Sequence, residues 1–277
     1  QQLLRDRGLD TVEQARDFLF PDFDEIIDPF LIYDMSSAVE RILTAIDNDQ
    51  SIVIYADYDA DGIPGAVVLH DLFQQLEYDR VRVYLPHRHT EGYGVHQHAI
   101  GEFITDGVNL IITVDVGISD VEPIRHAQDA GIDVIVTDHH EPHGEHPPAV
   151  ALVNPKLGGE GVDPMICGAA VAWHVARAVL TELRQRHDTR VVNIPEGWEK
   201  WLLDMVGIAT LSDMVPLQNE NRILAWYGLL VLRKTQRPGL LALLKKLRLQ
   251  QRHLTEQDVT FGITPKLNAA SRMGHPQ

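Results

Sequence analysis

The stretch SIVIYADYDADG, residues 51–62, decides the fold. Its first half is a short apolar run rich in β-branched side chains, the composition of a strand covered on both faces. Its second half places Asp57, Asp59 and Asp61 at alternate positions and closes on Gly62, after which the pattern predicts a helix over 63–77. A strand that runs through a polar turn into a helix is the repeating unit of a parallel sheet. Four more runs of the same kind follow: VRVYL at 81–85, NLIITV at 109–114, IDVIVT at 132–137 and AVALV at 149–153. Helices are expected near 95–105 and 120–130 between them. The fold class is therefore α/β: a doubly wound parallel sheet flanked by helices, with helical segments at both chain ends.

Outward from this core, residues 1–50 read as a helical lead-in. It is irregular around Phe20-Pro21 and Asp28-Pro29 and includes the amphipathic stretch MSSAVERILTAI at 35–46. After Pro155 the apolar spacing is helical throughout, as in AAVAWHVARAVLTEL, WLLDMVGIATL, RILAWYGLLVLRK and GLLALLKKL, and no further strand is evident. The expected organisation is a lead-in at 1–50, a catalytic domain at 51–217 and a helical continuation at 218–277. The chain opens on Gln1 rather than Met, and SRMGHPQ at its end reads as the interior of something longer, so the expectation is a piece of a larger protein.

Composition narrows the function. With 24 basic and 40 acidic residues the formal net charge is −16, which argues against a protein that coats nucleic acid through overall charge. A polyanion must be met locally, by a few arginines and by cations held among carboxylates. No run reaches the roughly 18 apolar residues that suggest a membrane span, and QQLLRDRGLD has no signal-peptide pattern, so cytoplasmic placement is expected. Cys167, the single cysteine, excludes an intramolecular disulfide and any multi-cysteine zinc site.

In an open α/β sheet, ligands bind beyond the carboxyl ends of the strands. Three such ends here are acidic: Asp57, Asp59 and Asp61 after the first run, Asp115 after the third, and Asp138-His139-His140 after the fourth. Crowded carboxylates need cations between them, and Asp oxygens with imidazole nitrogen suit octahedral Mn²⁺ or Mg²⁺ better than tetrahedral zinc. Gly62 and Gly117 allow tight turns there. A calcium-loop reading of DYDADG fails, because position 12 counted from Asp57 is Val68 and a strand pattern precedes it. His87, His89, His96 and His98 in PHRHTEGYGVHQH imitate a metal tract without an obvious carboxylate set, and His143 and His146 read as ordinary loop residues.

The aspartates of DYDADG, Asp115, the DHH tripeptide and Ser212-Asp213-Met214-Val215-Pro216-Leu217 resemble, in that order, the signature motifs of the DHH phosphoesterase superfamily. Its RecJ branch is matched by DPFLIYDMSSAVERI before the first strand, HRHTEGYG after the second, ENRILAWYGLL after the fourth motif and TPKLNAASRM at the end. The resemblance implies a two-metal 5′-to-3′ exonuclease that cuts single-stranded DNA to 5′ mononucleotides in DNA repair and recombination, with Mn²⁺ preferred and Mg²⁺ usable. By position it implies Asp59, Asp61, Asp115, His139 and Asp213 as metal ligands and catalytic residues, Asp115 bridging, with Asp57 a weaker ligand. It further implies that Asp138 orients the histidine pair, that His140 touches the phosphate, and that Arg88, Asn268 and Arg272 bind substrate. Lys266 belongs to the same terminal motif, and Tyr93 could stack on a base. Single-strand-binding protein and a helicase are the implied protein partners, and a DHH-associated domain is expected to follow residue 277.

Departures from the family pattern are Ala56 before the first Asp, Pro64 two places after its Gly, Val116 where Asn is usual, and Ser271 where Gly is usual. They leave every ligand in place but keep two other readings open. One is a DHH phosphodiesterase acting on short oligonucleotides, cyclic dinucleotides or pyrophosphate; the other is a non-catalytic DHH scaffold.

Overall fold

The computed structural model describes residues 2–274. The lead-in supplies α1 (Gln2–Arg5), α2 (Val12–Leu19) and, after two short 3-10 turns, α3 (Met35–Asp47). Then come β1 (Ile52–Ala56), α4 (Gly62–Gln75), β2 (Val81–Tyr84), α5 (Gln97–Thr105), β3 (Leu110–Val114), α6 (Val121–Asp129), β4 (Asp133–Thr137) and β5 (Ala151–Val153). The helical half contains α7 (Gly168–Gln185), α8 (Leu203–Ser212), α9 (Asn219–Leu232), α10 (Pro238–Leu247) and α11 (Thr264–Met273), the last entered through a π-helical segment at Asp258–Ile263. The five strands and the alternating helices fall where the apolar runs place them.

All strand pairs are parallel, in the order β2-β1-β3-β4-β5. The order reverses between β1 and β3, so the loops after these two strands diverge and leave a crevice, the usual ligand position in such sheets. Helices cover both faces because side chains alternate along each strand. Ile52, Ile54, Leu110, Ile112, Val114, Ile135 and Val153 join the core built with α3, α4, α7 and α8, whereas Val53, Tyr55, Ile111, Val134 and Val136 join a second cluster under α5 and α6. Ile223, Leu224, Leu240 and Leu244, from α9 and α10, belong to the first core. Among the described residues no helix is long and apolar enough to cross a membrane.

Candidate metal centre

The register of the sheet assembles the site. Ala56 pairs with Val114, Val114 with Thr137 and Thr137 with Val153, so the next residues, Asp57, Asp115 and Asp138, leave the sheet at one level. Each extends the ladder by one bond: the amides of Asp57, Asp115 and Asp138 donate to the carbonyls of Val114, Thr137 and Val153 at 3.1, 3.0 and 3.1 Å. Asp115 then turns left-handed, with φ +61°, a conformation Asp tolerates better than most residues. Gly117 follows at φ +118°, where glycine is the unstrained choice. Gly62 is required for another reason: a Cβ there would sit 2.4 Å from the Asp57 carbonyl oxygen.

The first loop is wound tightly. Asp59 Oδ1 accepts the amides of Asp61 at 2.7 Å and Gly62 at 3.0 Å, starting α4 in the manner of an Asx turn. The amide of Ala60 donates to Asn268 Oδ1 at 2.9 Å, which ties this loop to α11. Asp61 reaches the other way and accepts the Gly168 and Ala169 amides at the start of α7. Gly168 admits this approach, since a Cβ on it would lie 2.6 Å from Asp115 Cβ.

His139, 9% exposed, stands among the carboxylates. Its Nε2 lies 3.1 Å from Asp115 Oδ1, 3.6 Å from Asp61 Oδ2 and 3.9 Å from Asp213 Oδ2. Burial, aided by the neighbouring His140, pushes its pKa down to about 4, so the ring is neutral near pH 7 and keeps a lone pair for a cation. Burial raises the carboxyls: Asp57 and Asp61 to about 7, Asp115 well above the ordinary range, and Asp213 upward. Repulsion adds in each case, from Asp59 on Asp57, from Asp213 on Asp61, from Asp61 on Asp115 and from Asp59 on Asp213.

Asp138 is fully buried and works differently. Its Oδ1 accepts the backbone amides of His139 and His140 and lies 2.8 Å from His140 Nδ1, while Oδ2 accepts the amide of Ile118 at 2.9 Å. Burial alone would raise this carboxyl, but the bonds from His140 and the backbone outweigh it and hold it low. The hydrogen bond to Asp138 in turn raises His140. Asp138 thus orients the ring of His140, while for His139 it bonds only the backbone.

Three sets of donor atoms lie within ligating distance of one another: Asp115, His139 and His140; Asp61, His139 and Asp213; and Asp57, Asp59 and Asp115. They contain all six residues expected to be ligands, and they overlap at Asp115 and at His139. The donor set fits hard divalent cations. Oδ1 of Asp57 and Oδ1 of Asp115 are buried with no hydrogen-bond donor, a costly state for a carboxylate unless a cation answers it.

Arg88 stacks on the Tyr58 ring at 4.1 Å and donates from Nε to Ser271 Oγ at 3.1 Å, so it sits between the first acidic loop and α11. Arg272 is exposed on α11, and its carbonyl is 2.9 Å from His89 Nε2. Asn268 spends its carbonyl on Ala60. Tyr93 is half exposed; its hydroxyl donates to the Asp115 carbonyl at 3.2 Å and lies 3.2 Å from His140 Nδ1. The histidines at 87, 89, 96 and 98 form no metal-binding set among the described residues.

Sequence reasoning passed over Glu91. It accepts from the Tyr84 hydroxyl at 2.7 Å and the His87 amide at 2.5 Å, and it lies 2.7 Å from His98 Nε2, so it anchors the loop that carries Arg88 and Tyr93. An acid embedded among four histidines was the available signal.

Comparison with known proteins agrees with this geometry. The sequence model described as "DHH family, N-terminal domain" matches residues 51–210. The single-stranded-DNA-specific exonuclease RecJ of Bacillus subtilis is 40% identical over 272 residues, 98% of this chain and 33% of that protein. Its namesake from Escherichia coli is 35% identical over 243 residues, 86% of this chain and 42% of that protein. The chain therefore spans well under half the length of these curated relatives. Among solved structures, exonuclease RecJ bound to manganese superposes with a TM-score of 0.77 at 30% identity, over 88% of this chain and 59% of that one. RecJ with Mn²⁺ from Thermus thermophilus gives 0.79 at 26% identity, over 99% of this chain and 37% of that one.

Proposed function

The chain belongs to the DHH family, and on that footing we propose that it is the catalytic part of a metal-dependent 5′-to-3′ exonuclease that hydrolyses single-stranded DNA to 5′ mononucleotides. The observation that carries this reading is the overlap of the three donor sets at Asp115 and His139. Adjacent cation positions that share a carboxylate are the arrangement used for in-line attack on phosphodiesters. The relatives' names supply the substrate, and the manganese in the two solved relatives favours Mn²⁺, with Mg²⁺ as the alternative.

Asp57, Asp59, Asp61, Asp115, His139 and Asp213 would hold the cations. A bound pair supplies a water activated at neutral pH and positive charge for the phosphate oxygens. The chain does the rest. Asp138 fixes His140 through Nδ1 and favours its cationic form, leaving Nε2 to donate to a phosphate oxygen. Arg88, held by Tyr58 and Ser271, offers its remaining donors to the adjacent phosphate, with Arg272 beside it on α11. Burial of Asp57, Asp61 and Asp115 keeps water away from their carboxylates, so charge on the phosphate is answered at low local dielectric.

Residues 51–217 are the proposed catalytic domain, with 1–50 as a lead-in and 218–277 as a helical continuation. A role in DNA repair and recombination, cytoplasmic placement, and cooperation with a helicase and single-strand-binding protein complete the proposal. The test is a substrate panel with Mn²⁺. Release of 5′ mononucleotides from single strands but not duplex is expected; preference for cyclic dinucleotides or pyrophosphate would favour another DHH activity, and no hydrolysis at all would favour a scaffold.

A further inference from the structure

Beyond His140, on the side of the sheet covered by α5 and α6, the loops after β2, β3 and β4 enclose a recess of about 310 Å³. Buried Ile118 contributes an apolar wall, and the rings of Tyr93 and His140 meet edge to face at its mouth with centroids 5.5 Å apart. Besides His140, the polar groups are Asp120, Asp138, Glu141, His143 and the hydroxyl of exposed Ser119, and Asp138 already spends both oxygens on the backbone and on His140 Nδ1. Among the described residues no arginine or lysine lines it. Asp120 bridges two loops by accepting the Val95 amide on Oδ2 at 2.9 Å, and among the described residues no donor reaches its Oδ1.

The charges divide the site. Arg88 and Arg272 lie on the side of α11, whereas away from His140 the recess offers the Asp120 and Glu141 carboxylates as acceptors. What fits there is flat, uncharged and rich in N–H donors: an aromatic face for Tyr93 and His140, exocyclic amines for carboxylate acceptors. We propose that this recess holds the nucleobase of the nucleotide whose phosphate is bound at the aspartate cluster, favouring cytosine and adenine, which carry an exocyclic amine, over thymine, which does not. The proposal rests on the nuclease reading for where the phosphate sits, but it concerns binding and is tested by binding.

The experiment is a calorimetric titration of the Mn²⁺-loaded chain with deoxycytidine 5′-monophosphate, thymidine 5′-monophosphate and 2-deoxyribose 5-phosphate. Deoxycytidine monophosphate is expected to bind about tenfold tighter than the baseless sugar phosphate, within the range that stacking of one base gives, with thymidine monophosphate between them. Ser119→Trp, which fills the recess from an exposed turn, should abolish the gap, and Ser119→Ala should keep it. Equal affinity of the unaltered chain for nucleotide and sugar phosphate, or a gap that persists in Ser119→Trp, overturns the proposal. A chain with the gap but no hydrolysis of DNA would sink the nuclease reading alone; a nuclease without the gap would sink the base pocket alone.

Discussion

The carboxylate of Asp61 caps helix α7 from 107 residues away: Oδ2 accepts the Gly168 amide at 2.6 Å and Oδ1 the Ala169 amide at 2.7 Å. One side chain therefore serves both the architecture and the candidate metal centre, because Oδ2 also lies 3.6 Å from His139 Nε2. Two amides at a helix N-terminus partly offset the cost of burying this charge.

That double duty separates Asp61 from the other ligands. With metal chelated and at about pH 4, where the fold keeps Asp61 protonated and its burial is least costly, Asp61→Ala should destabilise the protein by about 1–2 kcal/mol, the cost of a lost N-cap, and Asp61→Asn, which keeps one acceptor, by less. Urea unfolding in EDTA measures it; equal stability of Asp61→Ala and the parent would show that the cap contributes nothing.

Asp115 should behave in the opposite way. Its Oδ1 is buried without a donor and its carboxyl is crowded by Asp61 and Asp59. Asn fits the same left-handed backbone, so Asp115→Asn should raise the stability of the metal-free protein at about pH 8 by about 1–3 kcal/mol. The same change should abolish the stabilisation that Mn²⁺ gives the parent. A metal-free Asp115→Asn protein less stable than the parent would contradict the assignment.

The pH dependence of the metal-free protein follows from the raised carboxyls. Asp57 and Asp61 titrate at about 7 in the fold against 3.8 in the open chain. Between those values the folded state holds protons that the unfolded state has released, so stability is full below about pH 4, falls as pH rises and levels off above about pH 7. Saturating Mn²⁺ should reverse the slope, because cations displace those protons. Melting curves between about pH 5 and pH 8, with and without Mn²⁺, report the sign; a metal-free protein that gains stability across that window would refute the burial argument.

Glu91 is a positioning residue in this account. Glu91→Gln keeps the size but weakens the grip on Tyr84, the His87 amide and His98, so the loop with Arg88 and Tyr93 should loosen. The expected result on single-stranded DNA is a KM raised by about tenfold with a smaller change in kcat. An unchanged KM, or a fall in kcat alone, would remove Glu91 from this role.

Much of this was legible in the sequence because its signals are local. The runs at 51–56, 109–114 and 132–137 announce strands, and in a parallel sheet the residue after each strand must lie at the same rim, so Asp57, Asp115 and Asp138-His139-His140 could be grouped before any coordinates. Asp213 was reached through family resemblance, since it follows a helix rather than a strand. What escaped is long-range. Nothing near Asp61 in sequence announces that it caps α7, nothing near Asn268 says that its carbonyl holds Ala60, and the π-helical entry to α11 has no periodic signature. The histidine tract was read as an imitation of a metal site, but its organising residue went unseen: Glu91, whose partners are a tyrosine, a backbone amide and one imidazole.

The most direct test of the central claim is a calorimetric titration of the chelated chain with Mn²⁺, paired with Asp115→Ala. Two Mn²⁺ per chain are expected in the parent and loss of both in the variant, since Asp115 belongs to two of the three donor sets and the third shares His139 with one of them. A parent that binds no Mn²⁺, or a variant that binds it as the parent does, would contradict it.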